Sequence, residues 1–140
     1  MSDAAVKGES AGAARPKARP KYLNLFELGL SQPVPAVVSI LHRISGAGLF
    51  IALLWLLWML DRSLSSEAAF EKIRHYAGLW PVKLALLGVA WAYCHHFCAG
   101  IRYLFLDLDK GIDLATARRT SVITLVVSLL LTATIGWKLW

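Results

Sequence analysis

Three uncharged, strongly apolar runs, Ile44 to Leu60, Leu84 to Ile101 and Thr120 to Trp137, dominate this chain of 140 residues. Each holds 17 or 18 residues. At 1.5 Å per residue such a run forms about 27 Å of helix, close to the roughly 30 Å hydrocarbon core of a bilayer. Backbone polar groups in lipid must be satisfied internally, which leaves helices or a closed barrel, and the chain lacks the alternating strands of a barrel. The pattern therefore predicts an all-α integral membrane protein with three transmembrane helices, over about residues 35–60, 81–106 and 118–138. What lies outside the runs is too short and too polar to surround an apolar helix in a globular domain.

The flanks refine this division. Residues 1–21, rich in Ala, Gly, Pro, Lys and Arg without apolar periodicity, read as a flexible basic tail, and 22–140 as a membrane-anchor domain. The tail contains no apolar h-region, so it is not a secretory signal. Asp3 and Glu9 argue against a transit peptide. Tyr22 to Leu30 forms an amphipathic piece suited to the membrane interface or to a partner. Pro33 and Pro35 end that piece and launch the first helix, Pro35 being tolerated in a first turn. Between the first two spans, a short surface helix is predicted to begin near Ser65 or Ser66, with Glu67 and Glu71 toward its front. No loop can hold a soluble catalytic domain.

Composition agrees with this class: 57% of residues are hydrophobic and 17% charged, with a mean hydropathy of +0.55. Charge adds an orientation. Ten Lys and Arg, from Lys7 to Arg43 together with Arg102, Lys110, Arg118 and Arg119, share one side of three spans. Only Arg62, Lys72, Arg74, Lys83 and Lys138 lie on the other. The positive-inside rule then puts the N-terminus in the cytoplasm. Topology and anionic lipid account for the net charge of +6, so membrane lipid, and not nucleic acid, is the expected partner.

Against this apolar background, Ser39-Ile40-Leu41-His42-Arg43-Ile44-Ser45 stands out. An ionisable group at membrane depth costs about 2.5–3.5 kcal/mol on insertion scales and usually faces a partner, a cofactor or water. On a helix Ser39, His42 and Arg43 border one surface, continued by Ser45, Gly46, Ala47 and Gly48, whose small size lets a flat ligand or another helix approach. Ser39 and Arg43 can hydrogen-bond a quinone carbonyl, and His42 and Arg43 can pair with a carboxylate such as a haem propionate. Equally open is a plain reading in which Arg43 snorkels to headgroups and His42 sits at the interface.

The second span carries His96, Gly100, Arg102 and Asp107. One turn separates His96 from Gly100. A ligating histidine brings a macrocycle against the backbone a turn away, where glycine gives clearance at a helix cost of about 1 kcal/mol relative to alanine. Arg102 lies roughly 9 Å beyond His96, within reach of a porphyrin's propionate edge. Asp107 is placed to pair with Arg102 or Lys110. A histidine that only hydrogen-bonds fits the same spacing. Cys94 and Cys98 read as buried thiols, with metal binding beside His95 the less favoured alternative; no C-x-x-C-H haem-attachment motif is present.

The two constellations together resemble the membrane-anchor cytochrome b subunit of succinate dehydrogenase, respiratory complex II. The likeness begins at Arg19-Pro20 and Tyr22-Leu23-Asn24-Leu25, is strongest at Ser39-x-x-His42-Arg43-x-Ser45-Gly46, and returns at His96-x-x-x-Gly100-Ile101-Arg102-x-x-x-x-Asp107. It implies that His96, not the adjacent His95, is an axial ligand of haem b and that Ser39 and Arg43 bind ubiquinone. It further implies that His42, Arg43, Gly100 and Arg102 line the haem pocket or meet its propionates, and that Asp107 supplies a supporting ion pair. Tyr103 departs from the His or Phe usual after the arginine, and Leu108-Asp109 from the small residue usual two after the aspartate.

No second axial ligand stands out in the chain, so the resemblance implies a haem shared with a second membrane-anchor subunit that completes the helical bundle. Bis-histidine ligation leaves no open position for oxygen and suits electron transfer. Without flavin or iron–sulfur motifs the chain is non-catalytic alone. Electrons from succinate would arrive from a flavoprotein subunit through an iron–sulfur subunit on the cytoplasmic face of a bacterial inner membrane, a mitochondrial inner membrane being the less favoured location. Two other classes fit the residues: a haem-free anchor or assembly subunit, and a transporter component with Arg43 and His96 lining a polar path.

Overall fold

A computed structural model describes residues 33–140; the basic tail, the amphipathic piece from Tyr22 to Leu30 and Arg19-Pro20 lie outside the described residues. Among the described residues four helices follow one another: α1, Val34–Leu64; α2, Glu67–Gly78; α3, Trp80–Asp107; and α4, Leu114–Leu139. α1, α3 and α4 are each long and apolar enough to cross a membrane, the three spans that the hydropathy pattern predicts. α3 packs between α1 and α4, α1 also touches α4, and α2 lies against α1 and the start of α3.

Local chemistry sets the boundaries. Pro33 caps α1 and Pro35 occupies its first turn, where a missing N–H costs nothing. The short helix expected after Asp61 is α2: the Ser66 side chain accepts from the backbone N–H of Ala69 at 3.1 Å, and Glu67 lies in the first turn. α4 begins four residues before the predicted 118, because Asp113 accepts from the Thr116 N–H at 2.9 Å and starts the helix ahead of Arg118 and Arg119. A hydropathy boundary marks where charge ends, whereas a cap marks where the backbone turns helical.

α3 ends in a Schellman arrangement: Lys110 N–H bonds to the Phe105 carbonyl at 3.0 Å and Asp109 N–H to the Leu106 carbonyl at 3.0 Å. This places Asp109 at φ 55°, in the left-handed region that short polar side chains tolerate better than most. A small residue two beyond Asp107 would suit that position for the same reason.

The interior of the bundle is small and polar. Val38, Cys94 and Ala99 are its buried apolar residues, joined by Ser45, His95, Arg102, Ser121, Thr124, Ser128 and Thr132. The large Leu, Ile, Phe and Trp side chains mostly face outward, as expected where lipid is the solvent and close helix approach favours small residues. The hydroxyls satisfy themselves locally: Ser121 donates to the Ala117 carbonyl at 2.7 Å, Thr124 to Thr120 at 2.9 Å and Thr132 to Ser128 at 2.7 Å. α3 and α4 run antiparallel, with Arg102 bonded to Thr120 near one end and Lys83 over the Trp140 ring near the other.

Candidate functional site

The polar motifs of α1 and α3 meet. The His42 and His96 rings stack with centroids 4.2 Å apart and planes 9° from parallel. His96 Nδ1 lies 3.0 Å from the His42 carbonyl oxygen and 3.3 Å from Ser45 Oγ, and the Ser45 hydroxyl donates to that same carbonyl at 2.9 Å. A carbonyl oxygen only accepts, so the proton sits on His96 Nδ1. In a neutral imidazole, Nε2 then carries the bare lone pair. That tautomer, fixed by a backbone acceptor behind the ring, is the arrangement metal-ligating histidines adopt.

Gly46 makes this contact possible. A Cβ at Gly46 would come within 2.8 Å of His96 Cε1 and 3.3 Å of Nδ1, so a side chain there would displace the ring. At Gly100 a Cβ would meet only His42 Nε2, at 3.8 Å. Gly100 thus borders the His42 ring, one turn beyond His96, at an ordinary contact distance.

Tyr103 completes the cluster. Its ring tilts 49° to His42 at 5.1 Å, and its hydroxyl is buried without a partner among the described residues. The spacing 96, 100 and 103 repeats at four and then three residues, one helical face, and this signal places Tyr103 beside the histidine. In the family motif Tyr103 stands out only as a departure, which hides its position in the cluster.

Ser39 is half-buried and Arg43 exposed on α1, one turn apart. His95 does not join His96. It is fully buried, with no partner for either ring nitrogen among the described residues, and stacks on Trp91 at 5.4 Å. Cys94 and Cys98 are free thiols, and among the described residues no group of three His, Cys, Asp or Glu side chains could hold a metal ion.

Two expected neighbours of the site lie elsewhere. Arg102, 8% exposed, directs its Nε–H to Thr120 Oγ1 at 3.1 Å and an Nη2–H to the Ala117 carbonyl at 3.5 Å. Six residues past His96 is about 240° around α3, so the guanidinium bonds to α4; it also lies 5.5 Å from the centroid of the Tyr103 ring, which separates it from the two histidines. Asp107 forms no ion pair with Arg102 or Lys110; Arg74 with Glu71 is the ion pair among the described residues. Asp107 is exposed at the end of α3, and Arg102 has turned away from it.

Residues 15–135 match the model of the succinate dehydrogenase/fumarate reductase transmembrane subunit. The chain is similar to proteins named succinate dehydrogenase cytochrome b556 subunit. That of Rickettsia felis is 32% identical over 79% of this chain and 83% of its own. That of Paracoccus denitrificans is 30% identical over 71% and 74%, and that of Coxiella burnetii 31% over 87% and 97%.

Proposed function

The chain belongs to the succinate dehydrogenase/fumarate reductase transmembrane subunit family, and from that premise we propose that it is the cytochrome b anchor of a succinate:ubiquinone oxidoreductase, holding haem b and ubiquinone. The relatives named cytochrome b556 subunit support this reading. The observation that carries it is the contact behind His96: Nδ1 lies 3.0 Å from the His42 carbonyl oxygen, which leaves Nε2 as the nitrogen a haem iron would take. The residues fit the group. One ring nitrogen of His96 is engaged by a backbone carbonyl and the other is left without a hydrogen bond among the described residues, and Gly100 brings no side chain to the His42–His96 pair.

In this reading His96 would hold the haem iron through Nε2, and a histidine of a second anchor subunit would supply the other ligand. Such a haem supplies one-electron transfer. His42 buttresses the ligand by stacking and by its carbonyl, and stands with Arg43 on the side where propionates would be met. Ser39 and Arg43 donate hydrogen bonds to a quinone carbonyl. The guanidinium also favours the negative charge that develops on that oxygen during reduction. Arg102 supports the site at one remove, by tying α3 to α4. The N-terminus faces the cytoplasm of a bacterial inner membrane, where a flavoprotein and an iron–sulfur subunit deliver electrons from succinate.

Two substitutions in the intact complex test the assignment. Arg43→Leu should lower quinone reductase activity at least tenfold while succinate oxidation by an artificial acceptor continues, tenfold being about 1.4 kcal/mol of barrier. His96→Ala should remove the haem bands from the reduced-minus-oxidised spectrum. Undiminished quinone turnover in the first, or an unchanged spectrum in the second, refutes the corresponding role.

A further inference from the structure

Arg102 presents a problem that the redox site does not solve. It is 8% exposed, inside a helix that crosses the membrane, and among the described residues no carboxylate lies within ion-pair distance. Both its bonds go to neutral oxygens, Thr120 Oγ1 and the Ala117 carbonyl. Of the five N–H donors of a guanidinium, those two bonds engage only two. The remaining N–H groups can take a further acceptor, and an anion would both accept from them and balance the charge.

The surroundings indicate what kind of anion. Arg102 and Thr120 line a groove of about 420 Å³ between α3 and α4. Lys110 and Thr116 stand at one end, where α3 gives way to α4. Phe105 lines the groove between Arg102 and Lys110, and Ile101, Ile123 and Val127 line it farther into the spans. The acids nearby do not oppose an anion: Asp107 and Asp109 are exposed and do not line the groove, and Asp113 is occupied in capping α4. Lys110 at the interfacial end and Arg102 farther in along an apolar furrow match an amphiphile with an anionic head and a hydrocarbon tail. A soluble anion would leave the furrow uncovered.

We propose that the α3–α4 groove is a binding site for an anionic phospholipid, its phosphate held by Arg102 and Lys110 and an acyl chain laid between α3 and α4. The site is on the side of α3 turned away from His96. It requires only that α3 and α4 span the bilayer, and it does not depend on haem or quinone.

Native mass spectrometry of the delipidated whole complex, titrated with phosphatidylglycerol or phosphatidylcholine, tests this. Phosphatidylglycerol should bind at one saturable site per copy of this chain, and phosphatidylcholine should bind much more weakly. Lys110→Ala should weaken phosphatidylglycerol by about fivefold, the effect of one surface cation near anionic lipid, and Lys110→Glu by more. Lys138→Ala, at the far end of α4, should change nothing. Arg102→Gln should abolish the saturable site, and the Lys110 variants decide the matter if that protein fails to assemble. Equal binding of the two lipids, indifference to both Lys110 substitutions, or displacement of the lipid by millimolar inorganic phosphate would each overturn the proposal. So would cross-linking of an Ile123→Cys variant to a helix of a companion chain in the membrane.

Discussion

The two faces of α3 solve the same difficulty, polar side chains within a membrane span, in opposite ways. On the face toward α1, His96 is held from behind by a carbonyl, a hydroxyl and a stacked imidazole, against a glycine with no room for a methyl group. Its remaining nitrogen is left free. On the face toward α4, Arg102 ties two helices together through Thr120 and Ala117, among hydroxyls that return to their own backbone. The first face leaves one ring nitrogen without a partner among the described residues, and the second joins two helices. A polar residue in a span is therefore read by what its bonds leave over: one oriented ring nitrogen at His96, and at Arg102 the N–H groups beyond the two bonds that join α3 to α4.

The sharpest way to break this contrast is Gly46→Ala. Its methyl would meet the His96 ring at 2.8 Å, so the ring must move, at an overpacking cost of about 1–3 kcal/mol, and the haem spectrum proposed for His96 should be lost or shifted. Gly48→Ala has nothing within 4 Å and should leave that spectrum unchanged. If the two alanines behave alike, the Gly46 contact does not position the histidine.

On the opposite face, Thr120→Val removes the acceptor of the Arg102 Nε–H. The expected loss is about 1–2 kcal/mol of stability, from a buried charged donor left without a partner. Thermal unfolding in detergent measures it, and the haem absorption should be untouched at temperatures where the protein stays folded. A spectral change as large as that of Gly46→Ala would mean that the two faces are coupled.

The smallest effect belongs to the cap that starts α4. The Thr116 N–H bonded to Asp113 holds that carboxyl below the ordinary carboxylate range. Because the folded value is the lower one, the cap contributes fully above the unfolded-chain value of about 3.9. The contribution is lost as pH falls through the folded value. Asp113→Asn should flatten this acid-side slope in a melting-temperature series and shift the midpoint at neutral pH by no more than about 2 °C.

Much of the site is legible in the sequence. Spacing alone puts Ser39, His42 and Arg43 on one surface of α1 and His96 and Gly100 on one face of α3, since helical period is a local property. The three spans are legible for the same reason, each being a run of apolar residues matched to bilayer thickness. Arg102 is not: distance along the helix suggests a reach toward propionates, but its azimuth and the acceptors on α4 turn it the other way. Asp107 follows from the same assumption and forms no such pair. Tyr103 is obscured because its identity departs from the family pattern, although its periodicity points to the His96 face.

The sequence by itself determined which segments enter lipid, which side chains share a helix face and which family the motifs resemble, because hydropathy and helical period are encoded residue by residue. Only the tertiary structure decided which faces meet. Whether His96 stacks on His42, whether its Nδ1 finds a backbone carbonyl, and whether Arg102 bonds across to Thr120 depend on the rotation and register of separate helices. No single span encodes those quantities; they follow from how small residues such as Gly46 let two helices close on one another.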